Sequence, residues 1–279
     1  MYQIFLPAPA LQPYIQVYWM ARSSPGQPES IRENVFVDGR ADIIFNFGCA
    51  YQRHYLNQPD AADSLNFSNL DGQREYPVAI VQDGVIDLIG VRFQPGGLSA
   101  ILPLSPDELS NQTIELKLAF GAAALELENR LFEAPDAAYR VALLNAFFLS
   151  RLIVSSPYDF ARYVAHFIEA ASGAVNMKDL SAEVGYSIRS VDRTFRHYFG
   201  LTPKFYARVV RFQQVLHMLS AESEADLAEI TLACGYYDQS HLTHEFADFT
   251  GQSPTLYRAH LLEKLTAPPP NLVQFLQDQ

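Results

Sequence analysis

A diverged internal repeat in the C-terminal third of the chain constrains its fold more than any other feature. Gly185-Tyr186 recurs as Gly235-Tyr236 at an offset of 50 residues. Four later positions recur at an offset of 51, so that Val191, Phe195, Gly200 and Pro203 match Leu242, Phe246, Gly251 and Pro254. Each copy contains a short helix, a glycine turn, a longer helix, a glycine stop and a proline at a new helix start. This order predicts two helix-turn-helix units on one chain.

The second helix of the first copy has two distinct faces. A helix over Ser187–Phe199 is predicted to bury a stripe that consists of Ile188, Val191, Phe195 and Phe199. The opposite face, at i, i+3, i+4 and i+7, carries Arg189, Asp192, Arg193 and Arg196. Guanidinium groups suit phosphate contact and the bidentate reading of guanine. Asp192 has two interpretations: it accepts from cytosine N4, or, as we favour, it holds Arg189 or Arg196 in place.

The charge of this acidic chain is unevenly distributed. The net charge of −11 argues against general affinity for nucleic acid or an anionic membrane. Residues 187–211 nevertheless carry six Lys or Arg residues and one acid, whereas residues 221–250 carry seven acids and no Lys or Arg. We therefore expect the first unit to supply most of the affinity for DNA and the second to add weak or pH-sensitive specificity.

The first hundred residues show the alternation and turn signals of an antiparallel barrel or sandwich. The predicted strands are Tyr14–Met20, Asn34–Val37, Asp42–Phe47, Val78–Gln82 and Val85–Phe93. Asp38-Gly39 predicts a hairpin between the second and third of these strands, and Asp83-Gly84 repeats the pattern between the last two. Ala119–Phe132 and Ala137–Val154 then predict a helical hairpin that covers the barrel or pairs with a second copy of the chain.

The predicted fold class is α+β, with an all-α C-terminal domain. A boundary at Ser155-Ser156-Pro157 gives a β-rich sensor or dimerisation domain at 1–154, a DNA-binding domain at 155–265 and a proline-rich tail at 266–279. The helices predicted after the boundary are Tyr158–Ala171, Met177–Val184, Ser187–Phe199, Pro203–Leu219, Ala225–Ala233, Gln239–Thr250 and Pro254–Leu262.

The second copy resembles the signature of the AraC/XylS family of transcription regulators over Gly235–Phe246 and Gly251–Arg258. The resemblance covers roughly residues 158–262, and segments before residue 98 resemble the sensor-type domain of some members. It implies a bacterial regulator that binds bent double-stranded DNA in two major grooves, with RNA polymerase as a partner. The positions that match the base-reading sites are Arg189, Asp192 and Arg193 in the first unit and Gln239, Ser240, His241, Thr243 and His244 in the second. His244 departs from the family, where a longer basic side chain is common.

The N-terminal domain contains residue types that suit a small-molecule effector site. The candidates are the aromatic residues Trp19, Phe36, Phe45 and Phe47 and the cations Arg40 and Arg92, which could pair with an acid group. The alternative is that the aromatic residues belong to the core and the arginines balance surface acids. Pockets are mostly apolar with few polar groups, so aromatic richness permits a site without demonstrating one.

Other functional classes find little support in the sequence, which predicts no catalytic residues, metal or cofactor. A metal-dependent barrel enzyme needs clustered histidines, but residues 1–154 contain only His54. Zinc at Cys234, His241 and His244 is an alternative that we do not favour. The two cysteines, with no secretory signal and no membrane-spanning run, favour the cytoplasm. Two alternatives to a regulator stay open: an interaction or adaptor protein with a degenerate DNA-binding domain, and a small-molecule-binding barrel without a role in transcription.

Overall fold

Two antiparallel sheets form the N-terminal part of the chain. The structure is a computed structural model that describes residues 2–24, 27, 29–56, 58–153, 155–221 and 226–265. Its strands are β1 (Tyr2–Phe5), β2 (Ile15–Arg22), β3 (Glu29–Val35), β4 (Asp42–Asn46), β5 (Tyr51–Tyr55), β6 (Gln58–Leu65), β7 (Asn69–Asp71), β8 (Val78–Gly84), β9 (Asp87–Phe93) and β10 (Thr113–Glu115). One sheet has the order β1-β2-β9-β4-β7-β10 and the other β3-β8-β5-β6. The sheets form an open sandwich, which confirms the predicted class.

The two predicted hairpins are wrong. Strand β3 pairs with β8, whereas β4 pairs with β7 and β9, so the chain changes sheets around Asp38-Gly39. The same happens at Asp83-Gly84, because β9 pairs with β2 and β4. The Asp38 side chain accepts from the backbone N–H of Arg40 at 3.0 Å and pairs with Arg92, so it fixes a corner instead of a hairpin.

Helices cover one face of the larger sheet. A 3-10 turn at Gly97–Ala100 and the short helix α1 (Pro106–Leu109) precede α2 (Leu116–Phe120), α3 (Ala122–Glu133) and α4 (Ala137–Leu149). The predicted first helix of the hairpin is split at Gly121, which has a φ of +61°. The second helix ends at Leu149, and Val154 lies outside the described residues. Tyr18 and Phe93 of the sheet pack their rings against Phe148 of α4.

The C-terminal part is helical and contains both predicted helix-turn-helix units. Its helices are α5 (Ser156–Ala170), α6 (Met177–Val184), α7 (Ile188–Phe199), α8 (Pro203–Ala221), α9 (Leu227–Ala233), α10 (Gln239–Thr250) and α11 (Pro254–Leu265). Helices α6 and α7 form the first unit, α9 and α10 form the second, and α8 connects them. The predicted tail at 266–279 lies outside the described residues. The proposed boundary at residues 155–157 coincides with the start of α5, whose first residue is Ser156.

The two parts of the chain share a packed interface. Phe36 packs its ring against Tyr257 of α11 at 5.8 Å, and the N–H of Val37 donates to the carbonyl of Phe249 at 3.4 Å. Gln213 of α8 donates to the carbonyl of Val37 at 3.1 Å. The segment that was predicted to be a hairpin therefore contacts the core of the second helix-turn-helix unit.

Candidate nucleic-acid interface

Helix α7 is held at its start by a turn and a cap. Gly185 ends α6 with a φ of +70°, a conformation that glycine adopts without the steric cost of a side chain. The hydroxyl of Ser187 then accepts from the N–H of Ser190 at 3.3 Å, which satisfies one N–H at the helix start. Val191, Phe195 and Phe199 are buried as predicted. Ile188 differs from the prediction and is 40% exposed, because it lies in the first turn, beyond the edge of the core.

The three arginines of α7 share its exposed face. Arg189 and Arg193 are exposed and form no ion pair within 4.0 Å among the described residues. Arg196 is also exposed, and its Nη1 lies 3.6 Å from Oδ1 of Asp107 in α1. Asp192 forms no ion pair in the described part of the chain. Contrary to our expectation, it therefore does not hold Arg189 or Arg196 in place. Arg196 reaches an acid of the N-terminal domain instead.

Helix α10 presents a polar surface without Lys or Arg. Asp238 caps the helix by accepting from the N–H of His241 at 2.7 Å. The exposed side chains of the predicted set are Gln239, Ser240, His241 and His244, while Thr243 is half-buried. The ring of His241 packs edge-on against Tyr236 at 5.2 Å, which fixes the start of this surface.

The acid Glu245 faces the interior of the second unit. Its carboxylate accepts from Nε of Arg208 at 2.7 Å and from Nη2 of Arg211 at 3.0 Å, and the hydroxyl of Tyr236 donates to it at 2.8 Å. Burial opposes ionisation of Glu245, but hydrogen bonds from Arg208, Tyr236 and Arg211 outweigh it and lower the pKa of the carboxyl. Arg211 also lies over the ring of Tyr236 at 4.3 Å. The cluster joins α8 to α10.

This cluster makes the exposed charge of the basic and acidic segments differ from what a count along the sequence indicates. Arg208 and Arg211 contribute to the basic segment, yet both are bound by Glu245 inside the domain. Glu245 contributes to the acidic segment, yet it is only 3% exposed. The sequence does hold a signal for this: Leu242, Glu245, Phe246 and Phe249 lie at i, i+3, i+4 and i+7, so the acid sits on the apolar stripe of the helix.

The structure separates the six candidate effector residues. Trp19 and Arg92 line one cavity of about 90 Å³ between the two sheets. Arg40 lines a different cleft of about 390 Å³ between the N-terminal part and α8. Phe36 lies at the interface between the two parts, Phe45 is fully buried in the core, and Phe47 packs against Phe132 of α3. Sequence analysis missed Arg53 of β5 and Asp71 of β7, which line the same cavity as Trp19 and Arg92.

The cavity between the sheets, which we call the sandwich cavity, combines apolar walls with a charged end. Arg92 pairs with Asp38 and with Asp42, and Arg53 pairs with Asp71 at 2.8 Å. Burial and the neighbouring Asp71 raise the pKa of Asp42 to about 8, against the opposing effect of Arg40 and Arg53. The apolar wall of the sandwich cavity includes Ile31, Val35, Ile44, Val78, Ile80 and Leu88.

Four buried polar atoms of residues around the sandwich cavity have no hydrogen-bond partner within the described part of the chain. Three are donors, namely Nε1 of Trp19, Nε of Arg53 and Nε of Arg92, and the fourth is Oδ1 of Asp42. Trp19 is placed by a close approach, because a Cβ on Gly90 would lie 1.8 Å from its ring. Buried polar groups are nearly always hydrogen-bonded to protein or to solvent. The cavity therefore suits an occupant with hydrogen-bonding groups.

The described residues do not bring together the zinc ligands considered as an alternative. Cys234 is buried, and its Sγ lies 3.7 Å from Sδ of Met218, while His244 is exposed on α10. The described part of the chain contains no group of three or more His, Cys, Asp or Glu side chains arranged to hold a metal ion. None of its helices is long and apolar enough to span a bilayer.

Two family descriptions match separate parts of the chain. Residues 180–260 match the family described as "Helix-turn-helix domain", and residues 3–115 match a "Domain of unknown function (DUF6597)". The curated protein "HTH-type transcriptional activator RhaS" of Escherichia fergusonii is 29% identical over 89 residues, which is 32% of this chain and 30% of that protein. RhaS of Escherichia coli is 30% identical over 80 residues, covering 29% and 28%. The chain spans less than a third of the length of these relatives.

Comparison with solved structures gives matches of low sequence identity. ToxT from Vibrio cholerae is 11% identical, and the match covers 84% of this chain and 97% of ToxT with a TM-score of 0.47. The DNA-binding domain of AdpA, solved in complex with a target DNA, is 24% identical, with 41% of this chain and all of that chain covered and a TM-score of 0.36.

Proposed function

We propose that this chain, whose C-terminal part is an AraC-type tandem helix-turn-helix domain, is a sequence-specific DNA-binding transcription regulator. The observation that carries the proposal is the exposed arginine face of α7, which projects from a capped helix of the first unit. A recognition helix reads bases with side chains of its exposed face. In the second unit the exposed set on α10 supplies amide, hydroxyl and imidazole groups for the same purpose.

The proposed DNA-contacting residues lie on two helices, α7 and α10. They are Arg189, Asp192, Arg193 and Arg196 in the first unit and Gln239, Ser240, His241, Thr243 and His244 in the second. Asp192 is free of an ion pair within the described residues, which supports a base contact, such as acceptance from cytosine N4, over a role in holding its neighbours. With no Lys or Arg on α10, phosphate contacts of the second unit come from backbone N–H groups, hydroxyls or Arg258 of α11.

Selection of genomic DNA by the full chain tests this function. We expect enrichment of one sequence class, a discrete nuclease footprint on it and resistance of the complex to random competitor DNA. The alternative, an adaptor with a degenerate DNA-binding domain, predicts that random DNA competes as well as the selected sequence. A triple variant with Arg189, Arg193 and Arg196 all changed to alanine is the control, and it should leave no footprint.

We infer that a small effector occupies the sandwich cavity. The unpartnered donors of Trp19, Arg53 and Arg92 suit an occupant with acceptor atoms, and the surrounding aliphatic wall suits a compact hydrocarbon portion. Trp19 and Arg92 remain effector candidates from the sequence-based set. Phe36, Arg40, Phe45 and Phe47 line no part of this cavity, so we do not place them in the proposed site.

Tryptophan fluorescence tests the effector site directly, because Trp19 is the only tryptophan of the chain. A metabolite library is screened for compounds that shift its emission and raise the melting temperature. Binding to native protein stabilises it by mass action, so the two signals should rise together with concentration. The variant Ile80→Phe, which fills the cavity, should abolish both signals. A compound that acts equally on this variant binds elsewhere and contradicts the site.

The remaining features of the proposal concern assembly and cellular context. We propose a cytoplasmic, non-catalytic protein that contacts RNA polymerase and dimerises through the helical hairpin. The hairpin exposes large apolar side chains, namely Leu125 at 48%, Phe132 at 64% and Tyr139 at 50%, which supports its use as an interface. Sedimentation at micromolar concentration tests the dimer: a monomer would contradict it.

A further inference from the structure

We propose that Asp107 of the N-terminal domain competes with DNA phosphate for Arg196, and that this acid thereby sets the affinity and salt dependence of the first helix-turn-helix unit. The inference rests on the DNA-binding function proposed above. It assigns to the N-terminal domain a direct part in DNA binding that involves neither the effector nor dimerisation.

Three serines of the N-terminal domain donate hydrogen bonds to the C-terminal end of α7. Ser99 donates to the carbonyl of Tyr198 at 2.7 Å, Ser105 to that of His197 at 3.0 Å, and Ser110 to that of Gly200 at 2.6 Å. The last carbonyls of a helix have no partner within the helix, so these hydroxyls satisfy groups that would otherwise need solvent. We call this set of three hydroxyls the serine collar.

A close backbone approach fixes the serine collar relative to α7. Gly200 has a φ of +70°, and a Cβ at this position would lie 1.4 Å from Nε2 of Gln73. The same Nε2 donates to the carbonyl of Pro106, at the start of α1, at 2.9 Å. Helix α1 and the end of α7 are therefore held in one geometry. The collar does not itself touch the arginine face, but it determines where the acids of α1 lie.

That geometry places an acid beside a proposed phosphate ligand. Asp107 follows Pro106 in α1, and its Oδ1 lies 3.6 Å from Nη1 of Arg196. The side chains are 44% and 50% exposed, so water screens the pair and each partner is open to exchange. Exposed ion pairs contribute little to stability, and a phosphate oxygen can therefore replace Asp107 at small cost.

The competition has a defined effect on DNA binding. When Arg196 turns to a phosphate, Asp107 loses its partner and stays near the DNA backbone, where two negative charges repel. In the opposite case Arg196 stays with Asp107 and contributes no phosphate contact. In either case the acid lowers the affinity and reduces the number of counterions released on binding.

A double-mutant cycle in the full chain tests the proposal on the selected DNA. The variants are Asp107→Asn, Arg196→Ala, the combination of both, and Glu108→Gln as a matched control. Glu108 is the adjacent exposed acid and forms no ion pair among the described residues, so its variant removes the same charge without the contact. Melting temperatures confirm that each variant folds.

We expect Asp107→Asn to bind DNA about two- to fivefold more tightly than wild type. This range corresponds to the free energy that an exposed ion pair contributes. The slope of log K against log salt should become steeper by up to about 1. In the Arg196→Ala background, Asp107→Asn should have no more effect than Glu108→Gln. An equal gain in both backgrounds, or a gain equal to that of Glu108→Gln, would overturn the proposal. If wild type selects no DNA sequence, the proposed function itself fails, and the two failures are thereby distinguished.

Discussion

The two helix-turn-helix units share one plan but handle charge in opposite ways. Helix α7 exposes its arginines, and its far end is bound by the N-terminal domain. Helix α10 exposes no Lys or Arg, and its acid Glu245 is buried between Arg208 and Arg211 of α8. The first unit therefore exposes the arginines of α7, whereas the second buries Glu245, which joins α10 to α8.

This difference shows that charge counted along a segment is a poor measure of surface charge. The basic segment 187–211 presents fewer free cations than its sequence suggests, because Arg208 and Arg211 of α8 are bound by Glu245. The second unit presents fewer acids, because Glu245 is one of their partners. The electrostatic contrast between the units is thus smaller at the surface than in the sequence, and it depends mainly on Arg189, Arg193 and Arg196.

Removal of Glu245 should have the largest effect on the comparison. In Glu245→Ala, Arg208 and Arg211 lose their shared partner inside the domain. Breaking a buried ion pair by removing one partner costs about 3 kcal/mol at the lower end of its range, which applies because Arg208 is partly exposed. Urea unfolding measures this loss of stability. The free energy of DNA binding, measured at a temperature where the variant stays folded, should change by less than the free energy of unfolding.

The control for this variant lies one turn further along α10. Asp248 is exposed, with Oδ2 3.6 Å from Nη2 of Arg208, so it shares a partner with Glu245 without being buried. Asp248→Asn should change the unfolding free energy by less than about 0.5 kcal/mol, as exposed pairs do. Comparable losses for the two variants would mean that burial of Glu245 does not matter, and the contrast between the units would fail.

The second prediction compares one residue from each exposed face. Arg193→Ala should weaken binding to the selected DNA by about tenfold and flatten the salt slope by about 1 if the side chain contacts a phosphate. His244→Ala should weaken binding by less than about threefold, because its surface carries no fixed positive charge. Titrations at several salt concentrations measure both. A larger loss for His244→Ala would reverse the proposed division of labour between the units.

Helix ends in the C-terminal part were predictable because local chemistry specifies them. Ser187 and Asp238 cap α7 and α10, and both helices end at a glycine with positive φ, as the repeat predicted. The capping contacts join residues a few positions apart. The sequence therefore contained both partners of each contact within one short window.

Contacts between distant residues were not predictable in the same way. Asp38-Gly39 and Asp83-Gly84 lie near places where the chain changes sheets, but such a signal does not say which strand pairs with which. Glu245 and Arg208 are separated by 37 residues, and Asp107 and Arg196 by 89. Only the folded chain brings these charges together, which is why sequence analysis missed the Asp107–Arg196 pair and the arginine partners of Glu245.

Acidification should reduce the difference in unfolding free energy between wild type and a variant with a neutral residue in place of Glu245. The folded chain lowers the pKa of Glu245 below its ordinary value of 4.5, so the carboxylate stabilises the fold fully above that value. This stabilisation is lost as pH falls through the folded pKa, because the protonated acid no longer attracts Arg208 and Arg211. Glu245→Gln should therefore be less stable than wild type at pH 7, and the gap should shrink as urea unfolding is repeated at lower pH below 4.5. A gap that stayed constant would show that shape and hydrogen bonding, and not the charge of Glu245, join α8 to α10, and would remove the electrostatic half of the comparison.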